Sequence, residues 1–571
     1  MEELRAKPWV SQYPEQIPTT LDENFELLPN YLKQTASNYP YKKALNFLGK
    51  SMTFNEVYIQ SLRFANYLRN LGVKKGDRVA IMLPNCPQAV IAYYGILFAE
   101  AVIVQTNPLY TERELEYQMN DSGATAIICL DLLINRVCAV KKSTNLQHIF
   151  VTAIRDYLPF LKKVLYPLSK QPKAPEIPED RSIHQFNYIM KISAPIEMEL
   201  SNSSVDEVAI LQYTGGTTGF PKGVMLTHKN LASNTLMAEK WLYKSKKGQE
   251  KILTVLPFFH VYGMTTCMNL SIMCAYEMII IPRFDATQML EAINKYRPTL
   301  FPGAPTMYIA LLNHPDLKKN DISCIHACLS GSAALPVEVQ EQFEKVTGGK
   351  LVEGYGLSEA SPVTHSNFLW DKRVSGSIGV PWPSTDAKIV SLETGEELPS
   401  REIGELIVSG PQIMKGYWNR PEETAATLKD GWLYTGDLGY MDEEGFFYIV
   451  DRKKDMINAG GFNVYPRDIE EVLYEHEAVQ EVVVIGIPDS YRGETVKAFI
   501  VLKEGKSVTE AELDEFSRKY LAAYKVPRFY EFRTELPKTM IGKILRRTLV
   551  EEEKQKNDQN DKNEDSGEQL V

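Results

Sequence analysis

Along the first 150 residues the apolar positions switch between two periods. In FNEVYIQSLRFANYLRNLGVKKGD (54–77) they recur every three and four residues, which predicts an amphipathic helix. RVAIMLPN (78–85) and IVQTN (103–107) are short apolar runs that read as buried strands, and AVIAYYGILFAEAV (89–102) reads as a helix between them. TERELEYQMNDSG (111–123) predicts another helix, and ATAIICLD (124–131) another strand. Strands alternating with helices imply a parallel sheet with helices on its faces.

The alternation lapses between Arg155 and Met190, where RDYLPFLKKVLYPLSKQPK (155–173) mixes apolar residues with lysines before a proline-rich run. Pro159 and Pro167 argue against a long helix there. A surface insertion is favoured, and peripheral membrane contact through 155–173 is the alternative. The strand and helix pattern resumes in ILTVLPFFHVYGM (252–264), YEMIII (276–281), ACLSGSAALP (327–336) and KLVEGYGLSEASP (350–362). Beyond Gly376 short β segments predominate, and after DRKKD (451–455) a second mixed unit begins. The fold expected is α/β: a large N-terminal domain of helix-flanked sheets plus a β subdomain, with a small mobile α+β C-terminal domain. The boundaries expected are 1–452, 453–550 and a disordered acidic tail at 551–571, where apolar residues nearly vanish.

With 571 residues the chain exceeds the size of a single core. A net charge of -10 argues against nucleic acid as a partner. Seven scattered cysteines lack a Cys-x-x-Cys pair and fit reduced thiols, and the eight histidines show no zinc spacing. No run of about 18 apolar residues occurs, so a cytoplasmic location is expected, peripheral at the membrane face if 155–173 makes contact. A homodimer stays open.

The chemistry concentrates in YTGGTTGFPKG (213–223), which follows the strand VAIL (208–211). Its glycines let backbone N–H groups approach an anion closely. Thr214, Thr217 and Thr218 add hydroxyls, and Lys222 adds a positive charge, so a polyphosphate is the ligand it suits. It is not a Walker loop, because Pro221 precedes Lys222 and Gly223 follows it. Taken alone, a glycine-rich surface turn explains the stretch equally well.

Four further stretches change that balance: LPFFHVYG (256–263), EGYGLSE (353–359), YTGDLG (434–439), and DRKKDMINAGGFNVYP (451–466) with PKTMIGKILRR (537–547). In this order the set closely resembles the adenylate-forming enzymes, the superfamily of acyl-CoA synthetases, luciferases and peptide-synthetase adenylation domains. The subgroup it looks most like is the bacterial long-chain fatty-acid–CoA ligases. The resemblance implies ATP, Mg²⁺ and coenzyme A as reactants or cofactors, and a fatty acid as substrate.

Residue by residue, the resemblance implies that Thr214, Thr217, Thr218 and Lys222 hold the β- and γ-phosphates, that Ser358 contacts phosphate and that Glu359 binds Mg²⁺. Gly331, Ser332, Ala333, Gly354, Tyr355 and Gly356 would frame the adenine. Asp437 and Arg452 would hold the ribose, and Lys543 would stabilise charge between the attacking carboxylate and the α-phosphate. Lys454 would be the hinge, Gly461 would shape the path of the thiol, and His260 would lie beside the carboxylate. Tyr262, Gly263, Met264, Gly303, Ala304 and Gly331 are candidate walls of an acyl pocket, and the small residues Gly303 and Gly331 suggest an open path. The chain departs from the common pattern at Gly215, at Asn463 and at Ser384, where glycine is frequent. A ligase for an aromatic or shorter acid, a module loading a carrier protein and a non-catalytic binding protein are the competing readings.

Overall fold

The computed structural model describes residues 7–166, 174–200, 203–214, 221–459, 462–489, 493–539 and 544–567. It divides into two compact units, one of residues 1–386 with 408–433, the other of residues 387–407 with 434–571.

The first unit is built on two large sheets. One has eight strands in the order Gly416–Tyr417, Lys222–Thr227, Val208–Thr214, Val102–Gln105, Arg78–Met82, Ala126–Leu130, His148–Thr152, Ile183–Gln185. The other has nine, running Val380–Pro381, Val363–Ser366, Lys350–Gly356, Ala327–Ser330, Leu300–Gly303, Lys251–Thr254, Glu277–Ile280, Lys43–Phe47, Lys50–Thr53. Most neighbours in both sheets are parallel, as the strand and helix alternation predicts. The helix Pro87–Phe98 is buried along its whole length. Its sequence is apolar on every side, which suits a helix enclosed in the core rather than laid on a surface. The helix Phe54–Asn70 is half polar and begins with a capping box, Thr53 accepting from the Glu56 N–H while Glu56 accepts from the Thr53 N–H.

Six elements of this unit position the candidate site. They are α1 (Glu112–Ser122), β1 (Val208–Thr214), β2 (Lys222–Thr227), β3 (Ala327–Ser330), β4 (Lys350–Gly356) and β5 (Gly416–Tyr417). β1 is parallel to Val102–Gln105, β2 adds to it antiparallel, and β5 adds antiparallel to β2.

The second unit contains β6 (Trp432–Met441) from Tyr434 onward and β7 (Phe447–Arg452), an antiparallel pair. Its other sheet has Gly493–Leu502 at the centre, flanked by Val479–Asp489 on one side and by Phe529–Arg533 and Ile457–Ala459 on the other. Alternation along VVVI sorts its side chains: Val482 and Val484 join Ile469 and Leu473 of helix α2 (Pro466–Tyr474), while Val483 and Ile485 join Phe499, Leu536 and Leu549. Leu549 belongs to α3 (Arg546–Gly567).

That helix runs past Glu551 to Gly567. The near absence of apolar residues hid its anchorage, which is ionic: Glu553 is 7% exposed and meets Lys497 at 2.8 Å and Lys556 at 2.7 Å. Burial of a carboxylate is tolerated when cations surround it. All seven cysteines are free, five of them buried. Among the described residues no helix is long and apolar enough to cross a membrane.

Two buried histidines make the first unit sensitive to acid. Burial pushes His228 down to about 4 and His365 down to about 3. A pKa depressed on folding means that stability is complete above the unfolded value near 6.5 and is lost as pH falls towards the folded values. The unfolding temperature is therefore expected to fall between pH 7 and pH 4, less steeply in His365→Gln, as measured by circular dichroism melts across that range.

Candidate active site

Thr214 and Lys222 stand directly opposite each other where β1 and β2 open into the glycine loop. Residues 215–220 lie outside the described residues, so Gly215, Thr217 and Thr218 are not placed. Both stems are braced from outside the hairpin. Tyr213 donates its phenol to Asp121 at 2.7 Å, and the Tyr117 phenol donates to the Pro221 carbonyl at 3.1 Å. Both acceptor and donor come from α1. Arg420 in turn donates to Asp121 at 2.9 Å and to the Tyr117 oxygen at 3.4 Å, and the Trp418 backbone N–H donates to the Gly223 carbonyl at 2.7 Å. The two stems that flank residues 215–220 are thus tied to α1 and to the Trp418–Arg420 segment.

Ser358 and Glu359 occupy a short 3₁₀ turn that ends β4. The Glu359 carbonyl accepts from the Met414 N–H at 2.8 Å, and its carboxylate accepts from the Tyr417 phenol, also at 2.8 Å. The Tyr417 ring lies 5.0 Å from the Lys222 ammonium. Burial and the neighbouring Glu359 push the Tyr417 phenol far above its ordinary value, so it remains a proton donor at any physiological pH. Among the described residues no three metal-ligating side chains converge. A single oriented carboxylate nevertheless suits Mg²⁺ held chiefly by phosphates and water.

The candidate adenine frame forms at the carboxyl ends of β3 and β4, where open α/β sheets characteristically bind ligands. Gly331, Ser332 and Ala333 follow β3, with Ser332 at a φ of 74°. The Glu353 side chain accepts from the Leu335 N–H at 3.1 Å and so ties this turn to β4. Gly354, Tyr355 and Gly356 end β4, and the Tyr355 ring meets His365 edge-on at 6.0 Å. A Cβ on Gly354 would lie 2.7 Å from Leu329, and one on Gly356 would lie 2.0 Å from the Pro362 carbonyl oxygen.

A Cβ on Gly331 would meet the Tyr262 ring at 3.0 Å and one on Gly303 the Tyr308 phenol at 2.9 Å, so both glycines make room for rings of this chain. The Tyr262 phenol donates to the Leu329 carbonyl at 2.6 Å. His260 is half-buried and precedes Val261–Gly263, after which a buried π-helical turn spans Met264–Asn269. Gln212 donates to the Phe259 carbonyl at 3.0 Å, holding this segment to β1. Ser384 explains why glycine is frequent at its position: its φ is 59°, and its hydroxyl accepts from the Leu21 N–H at 2.8 Å.

In the second unit Asp437 and Arg452 face each other across β6 and β7, 3.1 Å apart, with Asp437 only 4% exposed. Lys454 is exposed in the turn after β7. Lys543 and Gly461 lie outside the described residues. The flanks of the Lys543 segment are fixed, by a bridge between Lys538 and Ile544 and by Arg546. Arg546 pairs with Glu470 at 2.6 Å and approaches Asp451 and Asp455 at 3.8 and 3.6 Å. Burial pushes the Asp451 carboxyl up to about 6 despite that cation.

Sequence reasoning missed Tyr417, Arg420, Tyr117 and Asp121. KGYWNRPEE reads as an ordinary aromatic turn, and only the pairing of β5 with β2 brings it to the glycine loop.

The AMP-binding enzyme family matches residues 32–418, and the AMP-binding enzyme C-terminal domain matches residues 468–543. The chain belongs to this family of AMP-binding enzymes. It is 58% identical over 549 residues to the long-chain-fatty-acid–CoA ligase of Bacillus subtilis (strain 168), covering 96% of this chain and 98% of that one. It is 41% identical over 567 residues to the enzyme of that name from Salmonella typhi, covering 97% and 99%. Among solved structures it resembles ATP-bound MatB from Rhodopseudomonas palustris, with a TM-score of 0.82 and 29% identity over 93% of this chain and 99% of that one. It also resembles the anthranilate CoA ligase AuaEII in complex with anthranoyl-AMP, with a TM-score of 0.84 and 28% identity over 94% and 100%. The α/β architecture with a larger N-terminal and a smaller C-terminal part, read from the sequence, agrees with these structures.

The close approach at Gly356 yields a test. Gly356→Ala places a methyl against backbone, at a cost of about 1–3 kcal/mol. A lower unfolding midpoint in urea and weaker ATP binding by calorimetry are the expected results.

Proposed function

We propose that this protein activates a long-chain fatty acid in two steps. In the first, a carboxylate oxygen attacks the α-phosphorus of ATP, the bond to the bridging oxygen breaks, and pyrophosphate leaves to give acyl-AMP. In the second, the thiol sulfur of coenzyme A attacks the acyl carbon, AMP departs, and the thiol proton is released. One observation carries the substrate class: 58% identity to a long-chain-fatty-acid–CoA ligase across 96% of this chain.

The pairing of Thr214 with Lys222 and the orientation of Glu359 support the roles read from the sequence at the phosphate end. Thr214 and Lys222, with Thr217 and Thr218, hold the β- and γ-phosphates as pyrophosphate leaves. Glu359 fits Mg²⁺, which when bound draws charge from phosphate oxygens. Tyr355 packs on adenine between the Gly331–Ala333 turn and the strand of Gly354 and Gly356, Ser358 contacts phosphate, and His260 flanks the carboxylate. Asp437 and Arg452 take the ribose. Lys543 stabilises the charge that develops at the α-phosphate, and its withdrawal by rotation at Lys454 opens the thiol path past Gly461.

A second reading, a ligase for an aromatic acid, draws on the Tyr262 ring closing over Gly331. AMP release from ATP, Mg²⁺ and coenzyme A with acids from acetate and benzoate to oleate separates the two. Release that peaks with the long chains is expected, rising with acyl length as each buried CH₂ adds about 0.8 kcal/mol. Lys543→Ala is expected to lower it at least a hundredfold. A peak at benzoate would favour the second reading, and no release with any acid would overturn both.

Peripheral membrane contact is the finer proposal for 155–173. The helix Phe160–Leu165 exposes Phe160 by 78% and Leu161 by 73%, with Lys163 beside them. Flotation with anionic vesicles is expected for the parent protein and not for Phe160→Ser with Leu161→Ser. Equal flotation of the two would end the proposal.

A further inference from the structure

The strand β5 has no part in the roles assigned so far, yet its Tyr417 contacts both Glu359 and Lys222. Tyr417 donates to Glu359 at 2.8 Å and places its ring 5.0 Å from the Lys222 ammonium. Its own position is overdetermined. The strand pairs Tyr417 with Val224 and Gly416 with Met225 of β2, the Tyr417 backbone N–H donates to Thr424 Oγ1 at 2.9 Å, and the residue is 8% exposed. A neutral phenol fixed in this way can hold a carboxylate in one rotamer. The same ring, whose face carries negative potential, draws the ammonium towards it.

Glu359 and Lys222 come from different sheets, the first from the end of β4 and the second from the start of β2. Without a shared contact, the separation between carboxylate and ammonium would follow every shift between those sheets. We infer that Tyr417 is a positioning residue that sets the distance between Glu359 and Lys222, so that the metal-bound and lysine-bound oxygens of one polyphosphate are engaged together. This rests on the reading of Glu359 as the metal-binding carboxylate. It adds a residue that the reading did not contain. Hydrogen-bonded partners of ligating carboxylates typically change metal affinity by about 10–100-fold when removed.

Tyr417→Phe is the informative substitution, because it deletes the hydrogen bond and keeps the ring beneath Lys222. Calorimetric titration of ATP with and without Mg²⁺ reads binding without turnover. The variant is expected to lose about tenfold of the affinity increment that Mg²⁺ confers, while metal-free ATP binding stays within about twofold. Lys222→Gln is expected to weaken ATP binding with and without the metal. In a Glu359→Gln background, Tyr417→Phe is expected to add nothing to the loss. A general structural defect would add to it, so this cycle remains decisive even if Tyr417→Phe lowers the unfolding temperature. An unchanged Mg²⁺ increment in Tyr417→Phe, or additive losses in the double variant, would overturn the inference. If Glu359→Gln itself keeps the full increment, the metal role of Glu359 fails, and the inference fails with it.

Discussion

Closing a glycine-rich segment on a polyphosphate requires that its two ends be held at a fixed separation. In this protein the backbone ladder between β1 and β2 sets that separation, with Thr214 and Lys222 in register at the mouth. The rest of the phosphate end depends on the ladder. α1 braces its stems through Tyr117 and Asp121, and β5 extends it by one more strand so that Tyr417 and Arg420 arrive beside it. The electrostatics follow from this frame: one ammonium and one carboxylate, from different sheets, held against the same ring.

The parts of the site that sequence made legible are those whose residues lie close together in the chain. Gly354 to Glu359 is one strand end, and Asp437 faces Arg452 across a hairpin whose turn is visible as EEG. Strand and helix alternation likewise announced both sheets and the enclosed helix Pro87–Phe98. Tyr417 was illegible for the opposite reason. Its partner Glu359 is 58 residues away, and a two-residue strand leaves no periodic trace.

Two places show how much composition leaves open. The smallness of Gly303 and Gly331 says that something comes close, but not what; here Tyr308 and Tyr262 do. The sequence after Glu551 has too few apolar residues to announce a packed helix, yet Leu549 enters the core and Glu553 is buried against Lys497. Charge pairing at long range has no signature in local composition. Ser384 shows the converse, since a serine at a φ of 59° occupies a place that backbone geometry reserves chiefly for glycine.

The crowding around β4 bears on how such a site can diverge. A Cβ on Gly356 would stand 2.0 Å from the Pro362 oxygen, and one on Gly354 would stand 2.7 Å from Leu329. Substitution at Gly356 is opposed by backbone, whereas at Gly354 the obstacle is the Leu329 side chain, which can shift. Tyr355 between them is half-exposed and meets no such barrier. The strand end is therefore a frame held most firmly at Gly356, beside which the side chain at Tyr355 can be exchanged in descendants of this sequence while the backbone is inherited unchanged.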